Sequence, residues 1–297
     1  MKISFHRVYT KDNLELCGLL YQPDKKTKTV VLHIHGMGGN FYENKFLDNL
    51  AKTFIDNNIA FCVFNNRGAE FIKDIFKKSK KKELFVRIGN SREKFEDCLI
   101  DIKAYIEFLK RRGFRNIHLS GHSLGCSKVA YYLGKTKDRR IKSLILISPS
   151  DMIGLVKADK EFAYRYKDDI STAKKMIKQG KGDEFMPRMV WDDYPITAKS
   201  YLNIFGDNSK TAVFNFYNPK DKFKIISQIK CPIFTIVGTE DDILFMPLNK
   251  MMKILEEKAS SNKRLEIKTV KNATHSWRGN EQELAERILN WLKSFKL

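Results

Sequence analysis

The sequence has no long apolar run. A helix that spans a bilayer needs about 18 or more apolar residues in a row, and the longest apolar runs here, such as residues 143–148, have only the length of buried strands. The amino-terminal residues alternate between polar and apolar types, without the continuous apolar centre of a signal peptide. We therefore expect a cytoplasmic protein with no stable membrane insertion.

Cysteine and histidine are scarce, and their spacing is not that of a disulfide or metal site. The 297 residues include five cysteines, an odd number, and none has CxxC spacing. Reduced core thiols fit this pattern better than a disulfide framework or a thiolate zinc site. His33 and His35 would share one face of a strand, but no third ligand accompanies them. We expect no metal site.

The sequence has fewer acidic than basic residues, 35 Asp and Glu against 55 Lys and Arg, so the formal net charge is +20. Such a field can attract nucleic acid, anionic surfaces or acidic substrates. The densest basic run, residues 77–82, has no aromatic residues within it and belongs to no recognisable nucleic-acid module. We expect a solvated loop there and no nucleic-acid partner, with attraction of an acidic ligand as the alternative.

Strand and helix patterns alternate along most of the chain. Short apolar runs typical of strands buried on both faces recur between amphipathic stretches, which predicts an α/β fold with a mainly parallel sheet covered by helices. The alternation stops for about 80 residues and then resumes. We interpret residues 1–150 and 231–297 as two parts of one core, and residues 151–230 as an inserted, mostly helical cap.

The predicted elements can be given with approximate bounds. Strands are expected at residues 2–10, 13–22, 29–35, 59–64, 116–120, 141–148, 232–238 and 264–270. Helices are expected at residues 42–57, 91–111, 246–258 and 280–295, and a further helix follows the G-x-S-x-G segment and ends at about residue 135. Ser91 is the expected N-cap of the helix at 91–111.

A G-x-S-x-G motif, residues 121–125, lies between a predicted strand and a predicted helix. In that context the serine occupies a tight turn that projects its hydroxyl above the sheet, and the glycines leave room for neighbouring backbone. Ser123 is therefore the predicted nucleophile. His122 beside it is a candidate substrate contact.

A second glycine-rich loop, residues 35–39, follows the first buried strand. A tetrahedral intermediate needs two N–H donors aimed at its oxyanion. The backbone N–H groups of Leu124, directly after the nucleophile, and of Met37, in this loop, are the predicted pair. Gly36 allows the backbone to approach a substrate closely.

A serine hydroxyl needs a base to take its proton. Five of the six histidines precede the nucleophile, whereas His275 lies between the last predicted strand and helix, which gives the chain order Ser…Asp…His of a serine hydrolase on this kind of sheet. The orienting acid should follow the preceding strand. Asp241 fits best there, with Asp242 as the main alternative and Glu240 as a weaker one.

Together these motifs resemble those of the α/β-hydrolase superfamily over essentially the whole chain, and most closely the serine aminopeptidase and esterase/lipase branches. The resemblance implies a hydrolase that needs no cofactor. Family members often continue the Arg67-Gly68 turn as Arg-Gly-x-Gly-x-Ser, whereas this chain reads Ala69-Glu70-Phe71, which should reshape the mouth of the pocket. The Gly-His-Ser-Leu-Gly-Cys stretch is also similar to that of siderophore esterases.

The predicted activity is hydrolysis of a small-molecule carboxylic ester through an acyl-enzyme. Substrate choice should lie in the cap, whose many aromatic residues either line an apolar pocket or hold the cap onto the core, and Trp191 is a candidate substrate contact. The same three residues could instead cleave an amide or peptide, or transfer an acyl group. A non-catalytic binding protein on a hydrolase scaffold is the alternative of another class.

Overall fold

An eight-stranded sheet forms the centre of the molecule. The computed structural model describes residues 1–79, 82–218 and 220–295. The strand order is β1-β2-β4-β3-β7-β8-β9-β10, and β5 and β6 form a separate hairpin. The strands are β1 (Lys2–Tyr9), β2 (Glu15–Gln22), β3 (Thr29–Ile34), β4 (Ala60–Phe64), β5 (Asp74–Lys77), β6 (Leu84–Arg87), β7 (Asn116–His122), β8 (Ile141–Ile147), β9 (Ile233–Gly238) and β10 (Leu265–Val270).

The six strands β4, β3, β7, β8, β9 and β10 run parallel. Strands β1 and β2 form an antiparallel hairpin at one edge of the sheet, where β2 pairs with β4. Every residue of β3, β4 and β9 is buried, as expected for strands covered on both faces. The helices are α1 (Phe46–Asp56), α2 (Cys98–Arg111), α3 (Leu124–Thr136), α4 (Met152–Ala158), α5 (Tyr166–Lys178), α6 (Ala198–Phe205), α7 (Leu248–Lys258) and α8 (Glu281–Lys293).

Two apolar layers lie on opposite faces of the sheet. Helices α1 and α8 pack against each other over one face, where Phe54, Phe61 and Trp291 belong to the same buried cluster. Helices α2 and α3 cover the other face, with Tyr105 and Leu119 in the larger cluster. In the described part of the chain, no helix has the length and apolar character to cross a bilayer.

The sheet topology fixes where a site can form. Strand β3 pairs with β4 on one side and with β7 on the other, so the strand order reverses between β3 and β7. In open parallel sheets, ligands bind beyond the carboxyl ends of the strands at such a switch point. The glycine-rich loop after β3 and Ser123 after β7 both lie at this point.

The second predicted helix begins later than expected. Two 3₁₀ turns precede α2, which starts at Cys98. Ser91 lies inside the first turn, and its hydroxyl donates to the carbonyl of Pro195. The prediction of Ser91 as the N-cap of this helix is therefore wrong. The extended backbone and buried side chain of Glu93 interrupt the helical path.

The β5–β6 hairpin was not predicted, because its strands have only four residues each. Lys80 and Lys81 of the basic run lie outside the described residues.

The segment between β8 and β9 is less helical than predicted. Helices α4, α5 and α6 are its only α-helices among the described residues, and irregular stretches separate them. Gly180, Pro187, Pro195 and Gly206 lie in these stretches, where they end or prevent helices despite the surrounding helical composition.

Candidate active site

Ser123 lies on a strained turn between β7 and α3. Its backbone has φ 55° and ψ −126°, a conformation that non-glycine residues rarely adopt and that is typical of functional sites. A Cβ on Gly121 would lie 2.4 Å from the carbonyl oxygen of Gly125, and a Cβ on Gly125 would lie 2.2 Å from that of Ile34. Both glycines of the motif are therefore required by close backbone packing, which places the start of α3 against the end of β3.

His275 and the three acidic residues after β9 occupy distinct positions. The Nδ1 atom of His275 lies 3.0 Å from Oδ1 and 3.1 Å from Oδ2 of Asp241, which is buried. Asp242 instead accepts the backbone N–H of His275 at 3.1 Å. Glu240 is exposed, and its backbone N–H donates to Ala273. Of these three acidic residues, only Asp241 bonds the imidazole ring.

The electrostatics of this pair favour an ionised carboxylate. Burial, the largest single influence, acts to raise the pKa of Asp241, but the hydrogen bond and charge of His275, together with smaller contributions from neighbouring groups, outweigh it and the pKa is lowered below its usual value. An ionised Asp241 can only accept, so Nδ1 of His275 carries the proton and Nε2 is left as the base. Ser123 and His275 line one cavity, and no hydrogen bond joins their side chains in the described structure; such contacts are often loose in unliganded sites.

Two backbone N–H groups near Ser123 have no acceptor. Among the hydrogen bonds of the described residues, neither the N–H of Met37 nor that of Leu124 donates to any group. Leu124 is the first residue of α3, whose N-terminus adds a favourable dipole for negative charge. A Cβ on Gly36 would lie 2.9 Å from Cβ of Ser123, so the loop after β3 lies directly against the serine.

His122 joins β7, the strand that leads to Ser123, to the loop of His275. Its Nε2 lies 2.9 Å from the carbonyl oxygen of His275, and the two rings have centroids 4.7 Å apart. The carbonyl can only accept, so Nε2 carries the proton. Burial, and then the neighbouring His275, lower the pKa of His122 to about 3, which keeps the ring neutral.

A cavity of about 430 Å³ opens over Ser123 and His275. Its walls include Gly36, His122 and Trp191, the three predicted substrate contacts. Six apolar side chains also line it, from the loops after β3, β4 and β9 and from the segment after β8. They are Met37, Phe71, Met152, Leu155, Tyr194 and Ile243.

Sequence reasoning missed two acidic wall residues. Glu43 and Glu70 line the cavity, whereas no Lys or Arg is among its described wall residues. Glu70 also bonds Lys73 at 2.5 Å, which lowers its pKa. Glu70 and Phe71 belong to the loop that departs from the superfamily pattern, so that departure was the available signal. Of the aromatic residues in segment 151–230, Trp191 and Tyr194 alone reach the described wall of the cavity.

Three further histidines have structural partners. His33 Nδ1 lies 3.0 Å from Oγ of Ser120, and His118 Nδ1 lies 2.7 Å from Oγ of Ser143. His35 contacts the backbone of the two loops that follow β3 and β4. Within the described residues, no group of three or more His, Cys, Asp or Glu side chains has the arrangement of a metal site.

The sequence matches a family model described as a protein of unknown function, DUF1749, over residues 94–295. The chain is also 22% identical over 198 residues to the protein named "Putative esterase/lipase 3" of Mycoplasma genitalium, and the match covers 64% of this chain and 69% of that protein.

Solved structures share the whole fold. Est1E from Butyrivibrio proteoclasticus has a TM-score of 0.63 at 15% identity, covering 98% of both chains. The Pyrococcus furiosus esterase Pf2001 has a TM-score of 0.64 at 16% identity, covering 100% of this chain and 91% of that one. The siderophore hydrolase EstB from Aspergillus fumigatus has a TM-score of 0.70 at 14% identity, covering 99% and 98%. The fold is that of the α/β-hydrolases, as the sequence motifs predicted.

Proposed function

The chain belongs to the DUF1749 family, and we propose that it is a serine hydrolase that cleaves a small-molecule carboxylic ester through an acyl-enzyme. One observation carries the proposal: a serine on a strained turn faces the same cavity as a histidine whose Nδ1 is held by a buried carboxylate. The names of the similar proteins, several of which are esterases, agree with an ester substrate.

The reaction begins when Ser123 Oγ attacks the ester carbonyl. His275 Nε2 takes the hydroxyl proton, and Asp241 holds the ring in the tautomer that leaves Nε2 free and stabilises the cation that forms. The tetrahedral intermediate collapses as His275 returns the proton to the leaving alcohol. Water then attacks the acyl-enzyme with the same histidine as base, which releases the acid and restores Ser123.

Negative charge on the carbonyl oxygen is stabilised by the N–H groups of Met37 and Leu124. Both lack another acceptor in the described structure, so neither has to give up a hydrogen bond when the oxyanion forms. Donors held in place before the reaction contribute more than donors that must reorganise.

The segment 151–230 acts as a cap that shapes the acyl pocket. It supplies Met152, Leu155, Trp191 and Tyr194 to the cavity wall, which favours an apolar acyl group over a charged one. Gly36 and His122 contact the substrate next to the scissile bond.

The test is hydrolysis of p-nitrophenyl esters from acetate to palmitate by the wild type and by Ser123→Ala. We expect turnover by the wild type, a loss of at least about 10³-fold in kcat in the variant, and labelling of the wild type alone by a fluorophosphonate. An inert wild type that resists labelling would contradict the proposal and favour a binding protein. A matched amide series, run with and without added alcohol, separates ester hydrolysis from amide hydrolysis and acyl transfer.

A further inference from the structure

The peptide group between Gly36 and Met37 presents one of the two proposed oxyanion donors. Because a trans peptide is planar, the carbonyl of Gly36 and the N–H of Met37 point in opposite directions in one plane. Whatever holds the carbonyl of Gly36 therefore sets the direction of the Met37 N–H. Two groups contact that carbonyl oxygen: His35 Nδ1 at 2.9 Å and, more weakly, the backbone N–H of Gly39 at 3.4 Å.

The tautomer of His35 follows from its other contact. Its Nε2 faces the backbone N–H of Asn66 at 3.1 Å, a group that can only donate, so Nε2 must accept and be without a proton. Nδ1 then carries the proton and donates to Gly36. Burial, and then the charge of Lys128, lower the pKa of His35 to about 3, so the ring stays neutral. A protonated ring would direct Nε2–H at the Asn66 N–H and break the contact.

Asn66 is in turn held through its side chain. Its Oδ1 accepts from Lys128 Nζ at 3.2 Å and from the backbone N–H of Gly68 at 2.9 Å. The contact with Gly68 lies within the segment after β4, and the contact with Lys128 holds that segment against α3, the helix that begins directly after Ser123. The backbone N–H that reaches His35 belongs to the same residue.

A fully buried ion pair lies behind Asn66. Lys128 Nζ lies 2.5 Å from Glu93 Oε1, and the two side chains are 0% and 1% exposed. A Cβ on Gly68 would lie 2.2 Å from Glu93 Oε2, so the carboxylate fills the space that the missing side chain leaves. Burying two charges costs free energy that their attraction often only just offsets, so the pair by itself gives the fold little net stability.

We propose that Glu93 and Lys128 are a positioning pair for the oxyanion site, acting through Asn66 and His35 on the peptide between Gly36 and Met37. The inference rests on the proposed function of that site. The pair touches no substrate. It keeps the Met37 N–H aimed at the cavity and maintains the neutral tautomer of His35 that the alignment requires.

The test removes both charges together, since either change alone leaves an uncompensated buried charge. We expect Glu93→Gln/Lys128→Met to lower kcat for a p-nitrophenyl ester about 10- to 100-fold per fluorophosphonate-labelled site, because outright loss of an oxyanion donor costs about 10²- to 10³-fold. KM should stay within about twofold, since an oxyanion donor acts on the transition state. Lys135→Met, which removes an exposed lysine of the same helix, is the control and should keep the wild-type kcat.

A double-mutant cycle distinguishes positioning from general destabilisation. His35→Ala should cost about 10- to 100-fold in kcat in the wild type and less than about threefold in the paired variant, because both changes disrupt one connection. An equal cost in both backgrounds, or an unchanged kcat in the paired variant, would overturn the proposal. If the paired variant does not fold, Asn66→Ala takes its place in the cycle, with the same expectations.

Nitrogen-15 NMR of the histidine rings tests the positioning role of the pair independently of any esterase activity. The wild type should show His35 with its proton on Nδ1, and the paired variant should show a mixture of tautomers or exchange broadening. A wild-type His35 protonated on Nε2 would overturn the positioning role even in an active enzyme. If the wild type hydrolyses no ester, the proposed function fails, and the same spectra still decide whether the pair orients His35.

Discussion

At the scale of single residues, Asp241 and Asp242 are neighbours with different partners, one on the ring and one on the backbone N–H of His275. Asp241→Asn should lower kcat about 10³- to 10⁴-fold, because an amide nitrogen facing Nδ1 favours the wrong imidazole tautomer. Asp242→Asn keeps an oxygen acceptor for the backbone N–H of His275 and should lower kcat less than about tenfold. Steady-state hydrolysis of one p-nitrophenyl ester by both variants measures the difference, and equal losses would contradict the assignment.

The lowered pKa of Asp241 adds a pH dependence to this comparison. An acid whose pKa is depressed by folding stabilises the protein above its unfolded pKa of 3.8, and that contribution is lost as the pH falls through the folded value. The difference in unfolding free energy between the wild type and Asp241→Asn should therefore be present at pH 7 and shrink below pH 3.8. Urea titrations at several pH values would show it.

The sequence motifs were sufficient to predict that Ser123 and His275 lie close together, and both residues line one cavity. The motifs favoured Asp241 as the orienting acid but left Asp242 as the alternative, because the two positions differ by only one residue along the same turn. They also gave no sign of the pair Glu93 and Lys128, since charges in an amphipathic pattern are usually solvated and only the packing of α3 against the 3₁₀ turns buries these two.

At the scale of elements, Asp151 links two parts of the segment after β8. Its Oδ1 caps α4 by accepting the N–H of Gly154 at 2.8 Å, and its Oδ2 accepts the N–H of Tyr217 at 2.9 Å. Asp151→Ala should lower the unfolding free energy by about 1–3 kcal/mol, because it removes an N-cap and leaves buried donors unpaired. Urea unfolding measures the loss.

The matched control is Asp159→Ala, which removes an acceptor for two backbone N–H groups in a more exposed turn and should cost less. Burial raises the pKa of Asp151 to about 6. The stability linked to its protonation is therefore fully present below pH 3.8 and is lost as the pH rises through about 6. The effect of Asp151→Ala should be larger at pH 5 than at pH 8; the opposite order would contradict this account.

Buried strands were the elements that sequence predicted best, because six-residue apolar runs leave few alternatives. Helix α2 shows the limit of that reasoning. The apolar period continues back to Phe95, yet tertiary contacts of Ser91 and Glu93 hold the preceding residues out of the helix. Periodicity reports which face is buried and not which hydrogen bonds the backbone makes.

At the scale of the whole molecule, the net charge of +20 does not converge on the candidate active site, whose wall carries Glu43 and Glu70. A different concavity of about 550 Å³, beside the amino ends of β3 and β7, is strongly basic. None of its cations forms an ion pair with a described residue. They are Lys25, Lys26, Lys28, Lys110, Arg112 and Arg115.

This distribution predicts weak electrostatic control of substrate capture. For p-nitrophenyl butyrate, kcat/KM should change less than about twofold between 0.05 and 0.5 M NaCl, and the anionic p-nitrophenyl hydrogen succinate should not be preferred, because surface charges beyond about 10 Å are screened. Parallel salt titrations with the two esters measure this. A clear preference for the anion that vanishes at high salt would mean that the overall field steers substrates to the site.

The segment between β8 and β9 supplies four residues of the cavity wall, and the two strands pair in parallel, from Leu144 with Ile233 to Ile147 with Ile236. Its two ends therefore lie on neighbouring strands but at opposite edges of the sheet, because a parallel pair needs a connection that crosses back. The cost of closing such a loop grows only slowly with its length. The segment and the residues at the carboxyl ends of the strands are thus different parts of the chain. We expect that the segment can be lengthened, shortened or exchanged while Ser123, Asp241 and His275 keep their positions, which makes it the part of the molecule in which to redesign specificity.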